Sequence, residues 1–494
     1  MIDPTGLTTY AYDALNRLTS ITNNKGQVTS FAYDALGRRT SMTHSNGVVT
    51  SYSYDAASQL LTLGHQFGAT TINSFAYTYD KVGNRKSKAD NAGTANYTYD
   101  VWNRLTQAVN PLPSNPLETF NYDPVGNRTT SNQNGASIFN TANQLLEDAN
   151  FTYQYDNNGN MTRKTAKFGG AITQYEYDAE NKLARVVSPT NTANYRYDGL
   201  GRHVEKEVIA GTTTVTKYVY DNEDILLELN GANAIVARYT HGPGIDEPLI
   251  MEKAGASFYY HADGLGSITE LTSQIGTAAQ GYTYSSFGKI ESQLDSNFVQ
   301  PYTFTSRQFD AETGNYFYRA RYYDAVSGRF LEEDPVSEFL DQPSTNNKYT
   351  YVGGNPINFF DPLGLVWEYS QSIGSLIHFV PNSNIAWVHG YGYAGNGPGL
   401  NNPEYQFVPN MGPLPQGVHD IGELKTGISV KGTRLPESMS LIPRRETKMG
   451  PRSGMAIHGG DPINKNSSWG CIVLPTDVRR KIAASGDREL RVVP

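Results

Sequence analysis

The chain has 494 residues, a net charge of −8 and one cysteine, so it is long enough for several domains and no internal disulfide can hold it together. With 34 Tyr, 47 Gly and only 18% charged residues, it departs from a coiled-coil composition and suits short strands joined by glycine-rich turns. The acidic balance argues against a nucleic-acid partner, no apolar run of about 18 residues could span a bilayer, and Met1 to Leu7 lack the basic and apolar regions of a signal peptide.

The average charge hides a division near residue 365. From Val366 onward basic residues exceed acidic ones by 3, whereas residues 1–365 carry −11, and only 4 of the 34 tyrosines follow Leu365. Two unlike polypeptides are joined there. We expect three domains: residues 1–300, 301–365 and 366–494.

From the N-terminus, one unit recurs: an aromatic residue, any residue, Tyr-Asp, then Gly or Asn before a basic residue. Examples are Tyr10-Ala11-Tyr12-Asp13 with Asn16-Arg17, Phe31-Ala32-Tyr33-Asp34 with Gly37-Arg38, and Tyr195-Arg196-Tyr197-Asp198 with Gly201-Arg202. A wider gap between Asp123 and Asp156 points to a decayed copy at Ile138 to Asn143. The alternation is strand period two, and each Asp can accept backbone N–H groups in a turn whose Gly or Asn takes positive φ. A lone hairpin cannot bury its aromatic face, so the units are expected to stack into one continuous sheet. An alternative use for the Tyr and Asp side chains is sugar binding.

These repeats resemble those of Rhs/YD-repeat proteins, polymorphic toxins whose repeats wind into a hollow β-shell around a C-terminal toxin. The resemblance extends through Tyr318-Arg319-Ala320-Arg321-Tyr322-Tyr323-Asp324, Asp334-Pro335 and Asn355-Pro356 to Asp361-Pro362-Leu363-Gly364-Leu365, which is similar to the Rhs core-associated module. It implies self-cleavage after Leu365 by paired carboxyls, Asp334 and Asp361, one serving as acid and the other as base. The first motif, Asp334-Pro335-Val336-Ser337, lacks the family's Gly; the bland alternative is that both Asp-Pro pairs only start turns. The shell is short for this family and shows no N-terminal delivery module, which fits a partial gene product, an orphan cassette or a trimmed chain.

Beyond Leu365 the strongest constellation is His458-Gly459 followed by Ser467-Ser468-Trp469-Gly470-Cys471-Ile472-Val473-Leu474. A thiolate is a nucleophile, an imidazole can take its proton, and backbone N–H groups at a Gly-Cys turn can face a developing oxyanion. The pattern resembles L,D-transpeptidase (YkuD-type) domains, and more closely the L,D-transpeptidase-like toxins of the type VI effector group, through Gly412-Pro413-Leu414-Pro415 and Gly450-Pro451-Arg452 as well. The resemblance implies Cys471 as nucleophile, His458 as general base, Gly470 and Cys471 as oxyanion donors and Ser468 as a shaper of the loop. Arg452 is a candidate for gripping a substrate carboxylate, and Trp469, where the family usually has His, for an altered acceptor surface.

The implied whole is a mainly β protein: a YD-repeat shell and a small, mainly β domain acting on peptidoglycan tetrapeptide stems as an L,D-carboxypeptidase or transpeptidase. Its expected partners are those stems, a cognate immunity protein and a secretion-system component, with no nucleic acid, no metal and no other cofactor. It is expected to be secreted and to act in the target-cell periplasm. Two rivals are a non-enzymatic surface adhesin, in which Cys471 is unreactive, and a zinc hydrolase using His389, His419 and His458, for which no short-spaced ligand pair is present.

Overall fold

The computed structural model describes residues 1–334 except Ile245, residues 347–361, and beyond residue 366 the backbone of individual strands. The chain divides into two compact units, one holding residues 1–334 and 347–362, the other residues 335–346 and 363–494. Strands dominate both, and the only helical segments among the described residues are single 3₁₀ turns such as Phe304–Ser306 and Val352–Gly354.

In the first unit the repeats build antiparallel meanders in which every strand pairs with its sequence neighbours. They form two large sheets instead of the single continuous one expected. A 13-stranded sheet runs from Thr9–Tyr12 to Gly135–Ala136, and a 16-stranded sheet from Ile138–Phe139 to Ile290–Gln293. The break falls at Ser137, between strands of only two residues, where too few ladder bonds exist to carry pairing across. It adjoins the decayed copy, in which Asn140 keeps the turn: its Oδ1 accepts the N–H groups of Ala142 and Gln144, both at 3.0 Å.

Each repeat turn has one construction. Asp13 Oδ1 accepts the N–H groups of Leu15 (2.8 Å) and Arg17 (3.0 Å), and Asn16 sits at φ +57°, a conformation Asn and Gly tolerate best. The basic residue then joins one repeat to the next. Arg17 Nε donates to Asp13 Oδ2 (2.7 Å), Nη1 donates to the backbone oxygen of Asp34 (2.9 Å), and the guanidinium lies 5.0 Å from the centre of the Tyr33 ring. Tyr33 in turn donates its hydroxyl to the Leu18 carbonyl at 2.8 Å. Arg38 repeats the pattern on Asp55 and Tyr54, and Arg104 on Asp123 and Tyr122. Where Asn replaces Arg, a side-chain amide substitutes: Asn84 Nδ2 donates to Asn103 Oδ1 at 2.9 Å. The Tyr and Asp side chains considered for sugar binding are thus engaged in bonds within the sheet.

The first aromatic of a repeat points inward and the second lies at the rim. In Val28–Tyr33, Phe31 is buried and Tyr33 half-buried beneath Arg17. The inward residues of the two sheets meet: Leu18, Ile21, Phe31 and Met42 pack with Leu249, Ile250 and Tyr259. A cavity of about 610 Å³ remains between the sheets, lined by residues including Phe75, Tyr97, Glu270 and Tyr282. A four-stranded sheet of Gln308–Asp310, Asn315–Tyr318, Arg321–Asp324 and Arg329–Phe330 adds Tyr316, Tyr318, Tyr323 and Phe330 to a core shared with Phe120 and Phe287.

In the second unit, ten strands form a mixed sheet. Trp367–Ser370 pairs in parallel with Glu489–Val493, which brings the start and the end of this unit side by side. Ala456–His458 pairs in parallel with Ile472–Val473.

Candidate functional site

Two regions carry the site residues expected from sequence. The first is a buried charge cluster in the core-associated module. Its centre is Arg321, the first residue of strand Arg321–Asp324, all four of whose residues are buried. Arg321 Nη2 lies 3.0 Å from Asp334 Oδ2 and 3.8 Å from Asp361 Oδ2. Its Nη1 donates to the Lys348 carbonyl at 3.1 Å, and its guanidinium carbon stands 3.7 Å from the centre of the Phe330 ring. Asp334 and Asp361, 27 positions apart in sequence, are therefore brought to one cation, and both are almost fully buried, at 3% and 2% exposure. The Asp334 N–H donates to the Lys348 carbonyl at 3.1 Å, the same carbonyl that accepts from Arg321.

A third carboxyl lies close by. Glu332 Oε2 accepts the Tyr322 N–H at 2.9 Å, and burial pushes its pKa up to about 8, with the Tyr322 N–H, Arg321 and Lys182 opposing. With that value Glu332 is mainly protonated at neutral pH, so the cluster around the guanidinium does not hold three anions. Such an arrangement can hold a proton on one carboxyl while another stays ionised, the requirement for acid and base chemistry at one place. Leu365, the expected cleavage position, lies outside the described residues.

Arg321 and Glu332 were not singled out in the sequence. Arg321 had a signal: it stands in the run Phe317 to Tyr323, at a position where period two demands an inward side chain among aromatic neighbours. Glu332 had none, because an acid next to Glu333 and Asp334 reads as a solvated acidic turn.

The second region is the C-terminal unit. Cys471, Gly470, Ser468, Trp469 and Arg452 lie outside the described residues. His458 is placed by its backbone at the end of Ala456–His458, in register with Val473, two positions beyond Cys471 in sequence.

Comparison with known proteins assigns the shell. The model of the Teneurin YD-shell family matches residues 88–357, more than half of the chain. The chain belongs to the teneurin YD-shell family. RHS Repeat models match residues 1–28, 12–49 and 33–66, and a Tlde1 domain model matches residues 389–493. The relatives include the tRNA nuclease WapA of Bacillus subtilis (strain 168), 29% identical over 81% of this chain and 15% of the relative. Double-stranded DNA deaminase toxin A of Burkholderia cenocepacia (strain H111) is 27% identical over 60% of this chain and 22% of the relative. The probable deoxyribonuclease RhsA of Dickeya dadantii (strain 3937) is 26% identical over 58% and 20%. The matched stretches thus span no more than about a fifth of these relatives. Among solved structures, the crystal structure of TcdB2-TccC3 aligns with a TM-score of 0.54 at 20% identity, over 72% of this chain and 22% of that one, a likeness of fold. The chain carries RHS repeats at its N-terminus and is mainly β in fold.

The relatives correct the expected partners. Their names are those of a tRNA nuclease, a DNA deaminase and a deoxyribonuclease, which overturns the exclusion of nucleic acid and the assignment of peptidoglycan stems as the partner. The physical reason is that net charge was taken over the whole chain. The excess of acid lies in residues 1–365, in a scaffold that also occurs in proteins named for action on nucleic acids, so it says nothing about what a carried domain acts on. Among the described residues no helix is long and apolar enough to cross a membrane.

Proposed function

We propose that this chain is an enzymatic toxin in which the YD shell carries a C-terminal cysteine acyltransferase of the L,D-transpeptidase class. Cys471 is the nucleophile: its sulfur attacks a peptide carbonyl, His458 takes the thiol proton, and the Gly470 and Cys471 N–H groups receive the oxyanion. Collapse of the tetrahedral intermediate forms the thioester and expels the amine, to which His458 returns the proton; water or a second amine then resolves the thioester. In this proposal Ser468 has the role of shaping the loop, Arg452 that of gripping a substrate carboxylate and Trp469 that of altering the acceptor surface. On this reading the protein is secreted and acts in the target-cell periplasm. The observation that carries it is the parallel pairing of Ala456–His458 with Ile472–Val473, which sets the backbone of His458 beside the strand that begins directly after Cys471. The Tlde1 match over residues 389–493 supports a toxin domain in this stretch.

A second function, action on nucleic acid, is favoured by the names of the relatives. One experiment separates the two: the full chain is incubated in parallel with a peptide acyl donor, tRNA and duplex DNA. Release of amine from the acyl donor, abolished by Cys471→Ala and by His458→Ala, is the expected result. Cleavage or deamination of nucleic acid that survives Cys471→Ala would overturn it.

The shell performs a second step in this proposal, release of the C-terminal segment by hydrolysis after Leu365. One of Asp334 and Asp361 removes a proton from water, which adds to the Leu365 carbonyl, while the other protonates the departing Val366 nitrogen. The convergence of both carboxyls on Arg321 supports it.

A further inference from the structure

Three of the chain's nine histidines meet where the 13-stranded and 16-stranded sheets face each other. His44 ends strand Arg39–His44 and His65 lies on Leu60–Phe67, both in the first sheet; His261 lies on Ala256–Ala262 in the second. The ring centres of His65 and His261 are 5.1 Å apart and those of His44 and His261 5.5 Å apart. None of the three is more than 1% exposed.

The hydrogen bonds suit neutral rings. His44 and His65 occupy equivalent places in successive repeats, each with Nδ1 bonded to the threonine 15 positions earlier: Thr29 at 3.0 Å and Thr50 at 2.9 Å. His65 Nε2 meets the Ala262 carbonyl of the opposite sheet at 3.1 Å. A carbonyl only accepts, so Nε2 carries the proton and Nδ1 takes the Thr50 hydroxyl hydrogen. His261 Nε2 lies 2.8 Å from Thr272 Oγ1, which also receives the Asn46 amide from the first sheet at 2.9 Å. In the neutral ring, Nε2 can accept the Thr272 hydroxyl hydrogen.

The ionisable groups around the cluster are already committed. On the His44 side, Arg39 is paired with Glu247 and the Tyr259 ring lies 5.4 Å away, tilted by 56°, with the Tyr260 backbone adjoining. Next to His65 stand Phe75 and Asp263, the latter 3.4 Å from Lys88. The Tyr77 hydroxyl accepts the Gly264 N–H at 2.7 Å in the turn after Ala262, and burial pushes Glu270, on the strand beside His261, up to about 7. A proton added to any of the three rings puts a charge against the other two in a buried site.

We propose that His44, His65 and His261 form an acid-sensitive latch, holding the two sheets together while the rings are neutral and parting them when protonated, so that the shell opens in mildly acidic surroundings. Burial depresses His44 to about 3 and His65 to about 4, and holds His261 well below the ordinary value. A pKa lowered in the folded state contributes stability that is complete above about pH 6.5 and is lost as pH falls. Each ring steepens opening by about tenfold per pH unit, so three acting together give about 10³ per unit between pH 6 and 4.

The test is hydrogen–deuterium exchange of the full chain between pH 7.5 and 4.5, corrected for intrinsic rates. Exchange in Arg39–His44, Leu60–Phe67 and Ala256–Ala262 should rise steeply below pH 6.5, ahead of Leu105–Val109 and Phe151–Tyr155. The triple variant His44→Gln, His65→Gln, His261→Gln should lose that difference. If the triple variant does not fold, His261→Gln alone should reduce the slope by about one proton. A flat wild-type profile at the seam, a rise shared equally by all strands, or a slope unchanged in the variants would overturn the latch.

Discussion

Aspartate is used in two opposite ways in this shell. In the repeat turns, Asp13 is at the surface and held below the usual carboxylate range by the Arg17 backbone N–H, with further donors from the Arg17 side chain and Leu15. Every oxygen is bonded and the group is chemically quiet. In the core-associated module, Asp334 and Asp361 are buried beside Glu332 and share Arg321 as their cation. A carboxylate surrounded by fixed donors is scaffold, whereas buried carboxyls gathered around one guanidinium can exchange a proton.

The sharpest way to break this contrast is to make the same substitution in both places. Asp361→Asn should abolish a C-terminal fragment beginning at Val366, and Asp13→Asn should leave it untouched, as read by intact mass over a long incubation. Equal loss in both variants, or a fragment from Asp361→Asn, would remove the distinction. Next in size is the cation. Arg321→Met removes the guanidinium that lies against Asp334 and Asp361 in a buried site and should cost about 3–5 kcal/mol in denaturant unfolding, whereas Arg38→Met, at a partly exposed turn, should shift the midpoint only slightly.

The neutral acid gives a pH-dependent test. Glu332 has a folded pKa raised to about 8, so its burial costs nothing at low pH and destabilises progressively as pH rises from about 4.5 towards 8. Glu332→Gln should therefore raise the melting temperature at pH 8, by up to about 4 kcal/mol in stability, and change little at pH 4. A gain at pH 4 equal to that at pH 8 would show that the side chain is ionised in the folded protein. The smallest effect belongs to the inter-repeat bonds: Tyr54→Phe removes the 2.9 Å bond to the Arg39 carbonyl and should cost about 1 kcal/mol in chemical denaturation.

How far the sequence reached depends on whether an interaction is local. The turn was legible because Asp13, Asn16 and Arg17 lie within five residues, and side-chain-to-backbone bonds of that span depend on residue type and order alone. The strand period, the inward aromatics and the Asn140 copy follow from the same short range. The mainly β architecture was legible for that reason, repeated along the shell.

What the sequence could not contain is which distant repeats face each other. The break at Ser137 into two sheets depends on ladder length, and the meeting of His44 and His65 with His261 depends on how the sheets close. Asp334 and Asp361 could be named from motifs, but the guanidinium between them and the neutral Glu332 beside it are set by tertiary burial, which fixes both partner and protonation state. Local hydrogen bonding is written residue by residue; desolvation and pairing across hundreds of positions exist only once the chain has closed on itself.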